Sequence, residues 1–164
     1  MKIWSVIVFA LLFLACSDDT TSPEEPTPVR NLTAGEQHVS SSTSTFGWKL
    51  FSTIAAAKPT SNIVLSPLSI SMALGMLLNG AEGETWSQMR QTLEHDAADQ
   101  AGINAGYRGL IDVLRSMDPR VTTTIANSVW TREGFSVLPT FLDTLRLFFD
   151  TEARTLDFSR SDAT

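Results

Sequence analysis

The run from Pro67 to Asn79 contains no charged residue, and its apolar side chains (Leu68, Ile70, Met72, Ala73, Leu74, Met76, Leu77 and Leu78) fall on nearly every face of a helix. A helix of that kind persists in water only when a larger body surrounds it. No other stretch constrains the fold as much. Its ends are readable as well. Ser66-Pro67 sets a hydroxyl N-cap ahead of a proline at the first helical position, where the missing N–H costs nothing. Gly80 is suited to close the helix. Ile63-Val64-Leu65 in front reads as a short apolar strand, and Glu84-Thr85 behind opens a second helix in which Thr85 and Gln88 make a capping box.

The remaining elements follow from periodicity and composition. Phe46, Leu50, Phe51 and Ile54 recur at helical spacing, with Thr45 as N-cap and Lys58-Pro59 as terminator. Trp86, Met89 and Leu93 form a stripe; Ile103, Tyr107, Leu110, Ile111 and Leu114 form another, ended by Asp118-Pro119. The β-branched residues between Val121 and Trp130 predict a strand. Glu133-Gly134 turns the chain, Pro139 starts a helix carrying Phe141, Leu142, Leu145, Phe148 and Phe149, and Thr151 to Phe158 predicts a further strand. Ser159-Arg160-Ser161-Asp162 resembles a helix start. Five helices with three short strands imply an α+β fold. The strand at 121–130 has no long neighbour to pair with, so the pattern reads as half of a larger body.

The first 44 residues have a different character. Lys2 is followed by an apolar run from Ile3 to Leu14 and then by Ala15-Cys16, the layout of a secretory signal over residues 1–15. The run is short of the roughly 20 residues a bilayer crossing needs. Cys16 is the only cysteine, which excludes an intramolecular disulfide. Its place after the run resembles the lipobox of bacterial lipoproteins and marks Cys16 as a lipidation site, with a plain signal peptide as the alternative. From residue 16 to 44 the chain is rich in Pro, Ser and acids and lacks apolar periodicity, which predicts a flexible stalk. Residues 45–164 form the folding part. Asn31-Leu32-Thr33 matches the glycosylation sequon.

The chain carries 18 acids against 12 bases, for a net charge of −6, which gives no support to a nucleic-acid partner. His38 and His95 are the only histidines. No Gly-x-Ser-x-Gly elbow accompanies the serines, and no Gly-Lys-Ser/Thr follows Gly80 and Gly83. His95 with Glu94, Asp96 and Asp99 reads as a solvated loop rather than a metal site. Met72, Met76 and Met89 read as core fillers, and Trp48, Trp86 and Trp130 as packed. Nothing in the sequence calls for a cofactor or an enzyme.

Read together, Asn62-Ile-Val-Leu-Ser-Pro-Leu-Ser-Ile, Gly80-Ala-Glu-Gly-Glu-Thr85, Ala126-Asn-Ser-Val-Trp130, Phe135-Ser-Val-Leu-Pro-Thr-Phe141 and Leu156-Asp-Phe158 closely resemble the N-terminal portion of the serpins, from about Phe46 onward. The resemblance implies helices packed around mixed and antiparallel sheets, with residues 67–79 as the helix behind the main sheet. It implies that Ser66, Pro67, Ser69 and Asn127 belong to the shutter, the region under the parting strands. Short hydroxyls there can hand hydrogen bonds between two backbone arrangements without changing core volume. It further implies inhibition of a serine- or cysteine-class protease by insertion of a cleaved loop, and no reactive bond can be assigned within 1–164. A non-inhibitory scaffold or interaction protein, or an inactive truncated fragment, is the alternative. With the signal and Cys16, the expected location is exported, as an outer-membrane or cell-surface lipoprotein or in the extracellular space.

Overall fold

The computed structural model describes residues 30–159. The leader 1–15, Cys16 and the stalk up to residue 29 lie outside the described residues, and the helix start expected at Ser159 runs beyond them.

The first helix, α1, spans Ala34–Ala57 and begins well before Phe46. Thr33 is its N-cap: the Thr33 hydroxyl accepts from the Glu36 amide (3.3 Å), and the Glu36 carboxylate accepts from the Thr33 amide (2.7 Å). This reciprocal pair satisfies two donors that a helix start otherwise leaves orphaned. Residues 34–44, assigned to the stalk by composition, are therefore helical. The reason is the make-up of the buried face. Its members are Glu36, Val39, Ser42, Thr43, Phe46 and Gly47, a helical stripe with only two large apolar side chains. Thr45, expected to cap the helix, lies inside it and returns its hydroxyl to the Ser41 carbonyl.

Helix α2 covers Pro67–Leu78, with Ser66 as N-cap. It buries Ser71, Met72, Gly75, Met76 and Leu78, while Leu77 stays 54% exposed, so the helix is sealed on one side only among the described residues. Helix α3 covers Gly83–Thr92. Thr85 sits within its first turn, and Gln88 instead donates to Glu84 (2.8 Å), so the expected capping box is absent. Helix α4 covers Gln100–Ser116, capped by Asp99, whose carboxylate accepts from the Gly102 amide (2.7 Å). Strand β1 (Asn127–Arg132), helix α5 (Pro139–Phe149) and strand β2 (Thr151–Leu156) complete the described part.

The two strands pair in parallel, from Asn127 opposite Thr151 to Arg132 opposite Leu156, with α5 as the crossover. A parallel pair needs such a connection. The strand predicted at 121–130 thus has a neighbour after all. It is also shifted: residues 122–126 carry no ladder, and pairing starts at Asn127. Residues 62–65 likewise form no strand, because no partner lies beside them among the described residues.

The core is one cluster drawn from four helices: Val39, Met72, Met76, Leu78, Ile103, Tyr107, Leu110, Ile111, Leu145 and Phe149. Met89 packs against it from α3. Helices α1 and α4 approach so closely that a Cβ on Gly106 would stand 2.5 Å from the Gly35 carbonyl oxygen. Glycine is the only residue that fits such a backbone contact without displacement. Among the described residues, no helix is long and apolar enough to cross a membrane.

Candidate functional site

The N-terminus of α2 gathers three of the residues singled out by sequence. The Ser66 hydroxyl accepts from the Ser69 amide (3.4 Å), and the two hydroxyls lie 2.9 Å apart. Pro67 occupies the first turn and packs on α1, where a Cβ at Gly47 would come within 2.6 Å of the proline ring. Both serines are exposed and Pro67 is half-buried. Between α1, the segment 62–66 and α2 runs an open groove of about 690 Å³, lined by Gly47, Trp48, Phe51, Val64, Pro67 and Leu68, among others. Trp48 is 72% exposed on it and Val64 98%, so the tryptophan expected in the core is on the surface.

Asn127 is not part of that cluster. Its side-chain amide donates to the Phe149 carbonyl (2.7 Å), one of the acceptors left unpaired at the end of α5. Asp150 follows with a left-handed φ of 53°, which turns the chain into β2, and its carboxylate pairs with Arg115 on α4 (2.7 Å). Arg115 also donates to the Ile125 carbonyl (2.9 Å), tying down the approach to β1. Thr151 opens β2 with its hydroxyl donating to the Met76 sulfur (3.1 Å). Asn127 thus anchors the base of the β1–α5–β2 unit on α5, whereas Ser66 and Ser69 stand at the opposite end of α2 from Met76.

The most developed polar feature lies inside the helices, and sequence reasoning missed it. The Thr43 and Ser71 hydroxyls are 3.0 Å apart, the Ser71 and Tyr107 hydroxyls 2.5 Å, and His95 Nε2 stands 3.1 Å from the Tyr107 hydroxyl. Tyr107 also donates to the Ser71 carbonyl (3.0 Å). A phenol has one proton. With that proton on a carbonyl, which can only accept, the Ser71 hydroxyl and His95 must both donate to the Tyr107 oxygen. His95 is then the neutral tautomer protonated at Nε2. All four side chains are buried. Burial pushes the Tyr107 phenol up to about 12, against hydrogen bonds from Ser71 and Thr43 that act the other way. Burial first, then the nearby His38 and Arg90 charges, hold His95 down at about 4. His95 is therefore no solvated loop residue: Glu94 and Asp96 face outward while the imidazole between them points in. A signal for this existed in the single tyrosine of α4, whose hydroxyl must find a partner when its ring is on the apolar stripe. Among the described residues no cluster of three or more metal-ligating side chains occurs.

A family model described as serpin (serine protease inhibitor) matches residues 41–164. The chain belongs to the serpin family. It is 31% identical over 114 residues to neuroserpin of Gallus gallus, covering 70% of this chain and 28% of that protein. It is 30% identical over 125 residues to leukocyte elastase inhibitor of Bos taurus, covering 76% and 32%. Its structure is similar to that of reactive-loop-cleaved human thyroxine binding globulin, with a TM-score of 0.70 at 29% identity, over 77% of this chain and 38% of that one. The described α+β arrangement is thus part of the serpin fold, and the chain spans about a third of the length of the curated relatives it matches. The family as described is one of serine protease inhibitors.

Proposed function

We propose that this chain supplies the N-terminal core of an inhibitory serpin that acts on a serine-class protease, or a cysteine-class one, by inserting its cleaved loop as a new strand. The observation that carries the reading is α2. Its N-terminus presents Ser66 and Ser69 as adjacent exposed hydroxyls, and beside them lies an open apolar groove. In a switch by strand insertion, such hydroxyls exchange hydrogen-bond partners as the overlying sheet parts. Ser66, Pro67 and Ser69 would serve the moving region directly, and Asn127 would hold the base of a strand pair toward the other end of α2. The full-length protein is expected to form a complex with its target protease that survives denaturing electrophoresis. Cleavage without complex formation, across proteases of both classes, would contradict the proposal.

A non-inhibitory serpin is the second reading, favoured by the likeness to a thyroxine binding globulin. The same assay separates the two. We further propose export and lipid attachment through Cys16, for which the sequence of residues 1–16 is the support. Mass spectrometry of the mature N-terminus tests this; an unmodified Cys16 thiol would contradict it.

A further inference from the structure

We propose that His95, with His38 beside it, forms an acid-sensitive latch that holds the α3–α4 turn (residues 93–99) against α1 and releases it on protonation. The turn is held from three sides. From α1, the Ser42 hydroxyl donates to the Glu94 carbonyl (2.6 Å) and Lys49 pairs with the Glu94 carboxylate (2.5 Å). From α3, Arg90 donates to the carbonyls of His95, Asp96 and Ala98. From inside, His95 reaches the Tyr107 hydroxyl. Glu94 itself has a left-handed φ of 61°, a conformation that a non-glycine residue keeps only under such restraint.

One proton undoes this arrangement. His95 is 0% exposed, and its Nδ1 has no partner. Because Nε2 already carries the hydrogen given to Tyr107, an added proton must go to Nδ1, where no acceptor stands. The result is a buried cation with an unsatisfied donor, which costs far more than a neutral ring. The charged groups around it worsen the cost. His38 on α1 stands with its ring centroid 5.4 Å away and its own Nε2 buried without a partner, and Arg90 presents a second positive charge from α3. The nearby carboxylates offer no relief: Glu94 is committed to Lys49, Asp99 caps α4, and Asp96 is exposed. From α4 the facing group is Tyr107, which stays neutral. Swinging the turn outward hydrates His95 and frees Glu94 from its strained backbone. The helices and the Thr43–Ser71–Tyr107 contacts remain. The latch does not depend on whether the protein inhibits a protease.

Hydrogen exchange on the full-length protein, corrected for intrinsic rates and resolved by peptide, tests the latch between pH 7 and 4. The opening equilibrium of 93–99 is expected to rise about 100-fold over this range, the factor set by a shift from 6.5 to about 4 with the closed form itself half protonated at pH 4. Peptides from 103–113 are expected to change far less. His95→Gln is expected to flatten the pH response of the turn, and His38→Gln to shrink it by removing one of the opposing charges. An unchanged turn from pH 7 to 4 in the native sequence would overturn the proposal, as would an undiminished response in His95→Gln. Should His95→Gln fail to fold, His38→Gln decides: a reduced response supports the latch and an undiminished one overturns it.

Discussion

The seam between α1 and α4 is polar and sealed, whereas the flanks of α2 are apolar and open. Along the seam, and where it meets α2 and the α3–α4 turn, Glu36, Ser42, Thr43, Ser71, His95 and Asn104 are all buried. Around α2, Trp48, Val64, Leu77, Phe135 and Leu138 are exposed, the last two on a second groove of about 460 Å³ beside β1. Burial in this chain therefore follows the pairing of polar groups and the approach of backbones rather than hydrophobicity alone. The seam is finished, with most donors matched and glycines where the helices touch. The flanks leave large apolar side chains in solvent, and exposure of that kind marks an interaction face.

Breaking the seam is expected to have the largest effect. Gly106→Ala sets a methyl group 2.5 Å from the Gly35 carbonyl, a backbone atom that cannot move aside without parting the helices. A loss of about 3 kcal/mol is expected by denaturant unfolding of the full-length protein. Tyr107→Phe comes next. It keeps the ring but strips the hydroxyl that serves Ser71 and His95, leaving buried groups unpaired at about 2 kcal/mol.

These two sites also show how far the sequence could be read. The start of α2 was legible because Ser66-Pro67 is a local signal, and α5 because Pro139 precedes a clean apolar stripe. The family could be recognised from motifs distributed between Asn62 and Phe158. What could not be read is the first part of α1. A helix whose buried side is Glu36, Val39, Ser42 and Thr43 has no apolar period, and only its contacts with α4 make those residues interior. The capping pair of Thr33 and Glu36 was the available cue, hidden in a Pro- and Ser-rich neighbourhood. The strand at 121–130 was misplaced for the opposite reason: β-branched residues permit an extended chain, but a ladder forms only where a partner lies, from Asn127 onward.

pH disrupts the seam more mildly. Arg30 donates to both oxygens of Glu36 (2.6 and 2.8 Å) and, opposed by burial and helped by the Thr33 amide, holds the carboxyl down at about 2. With a folded pKa below its unfolded value of 4.5, Glu36 contributes stability above that pH, and the contribution is lost as pH falls from 4.5 toward 2. His95 acts in a different window. Its folded pKa is also depressed, so the unfolded state takes up the proton first, and stability falls from pH 6.5 toward 4. Glu36→Gln keeps an acceptor for the Thr33 amide but loses the charge paired with Arg30; it is expected to cost up to about 1 kcal/mol at pH 7 and to remove the lower window while leaving the upper one. Thermal unfolding across pH distinguishes them.

The smallest change is expected on the open flank. Phe135→Ser removes a large apolar side chain that is 69% exposed. In the 164-residue chain its unfolding free energy is expected to move by no more than about 0.5 kcal/mol. A large loss there would mean that the flank is already covered.

Residues 34–44 belong to the folded body through a sealed polar seam, and amide exchange along α1 probes this without intermediaries. Amides from Gln37 to Phe46 are expected to exchange as slowly as those from Ile103 to Ile111, because both helices open only together. Exchange of residues 34–44 at the rate of an unstructured chain, with protection beginning only at Phe46, would contradict it.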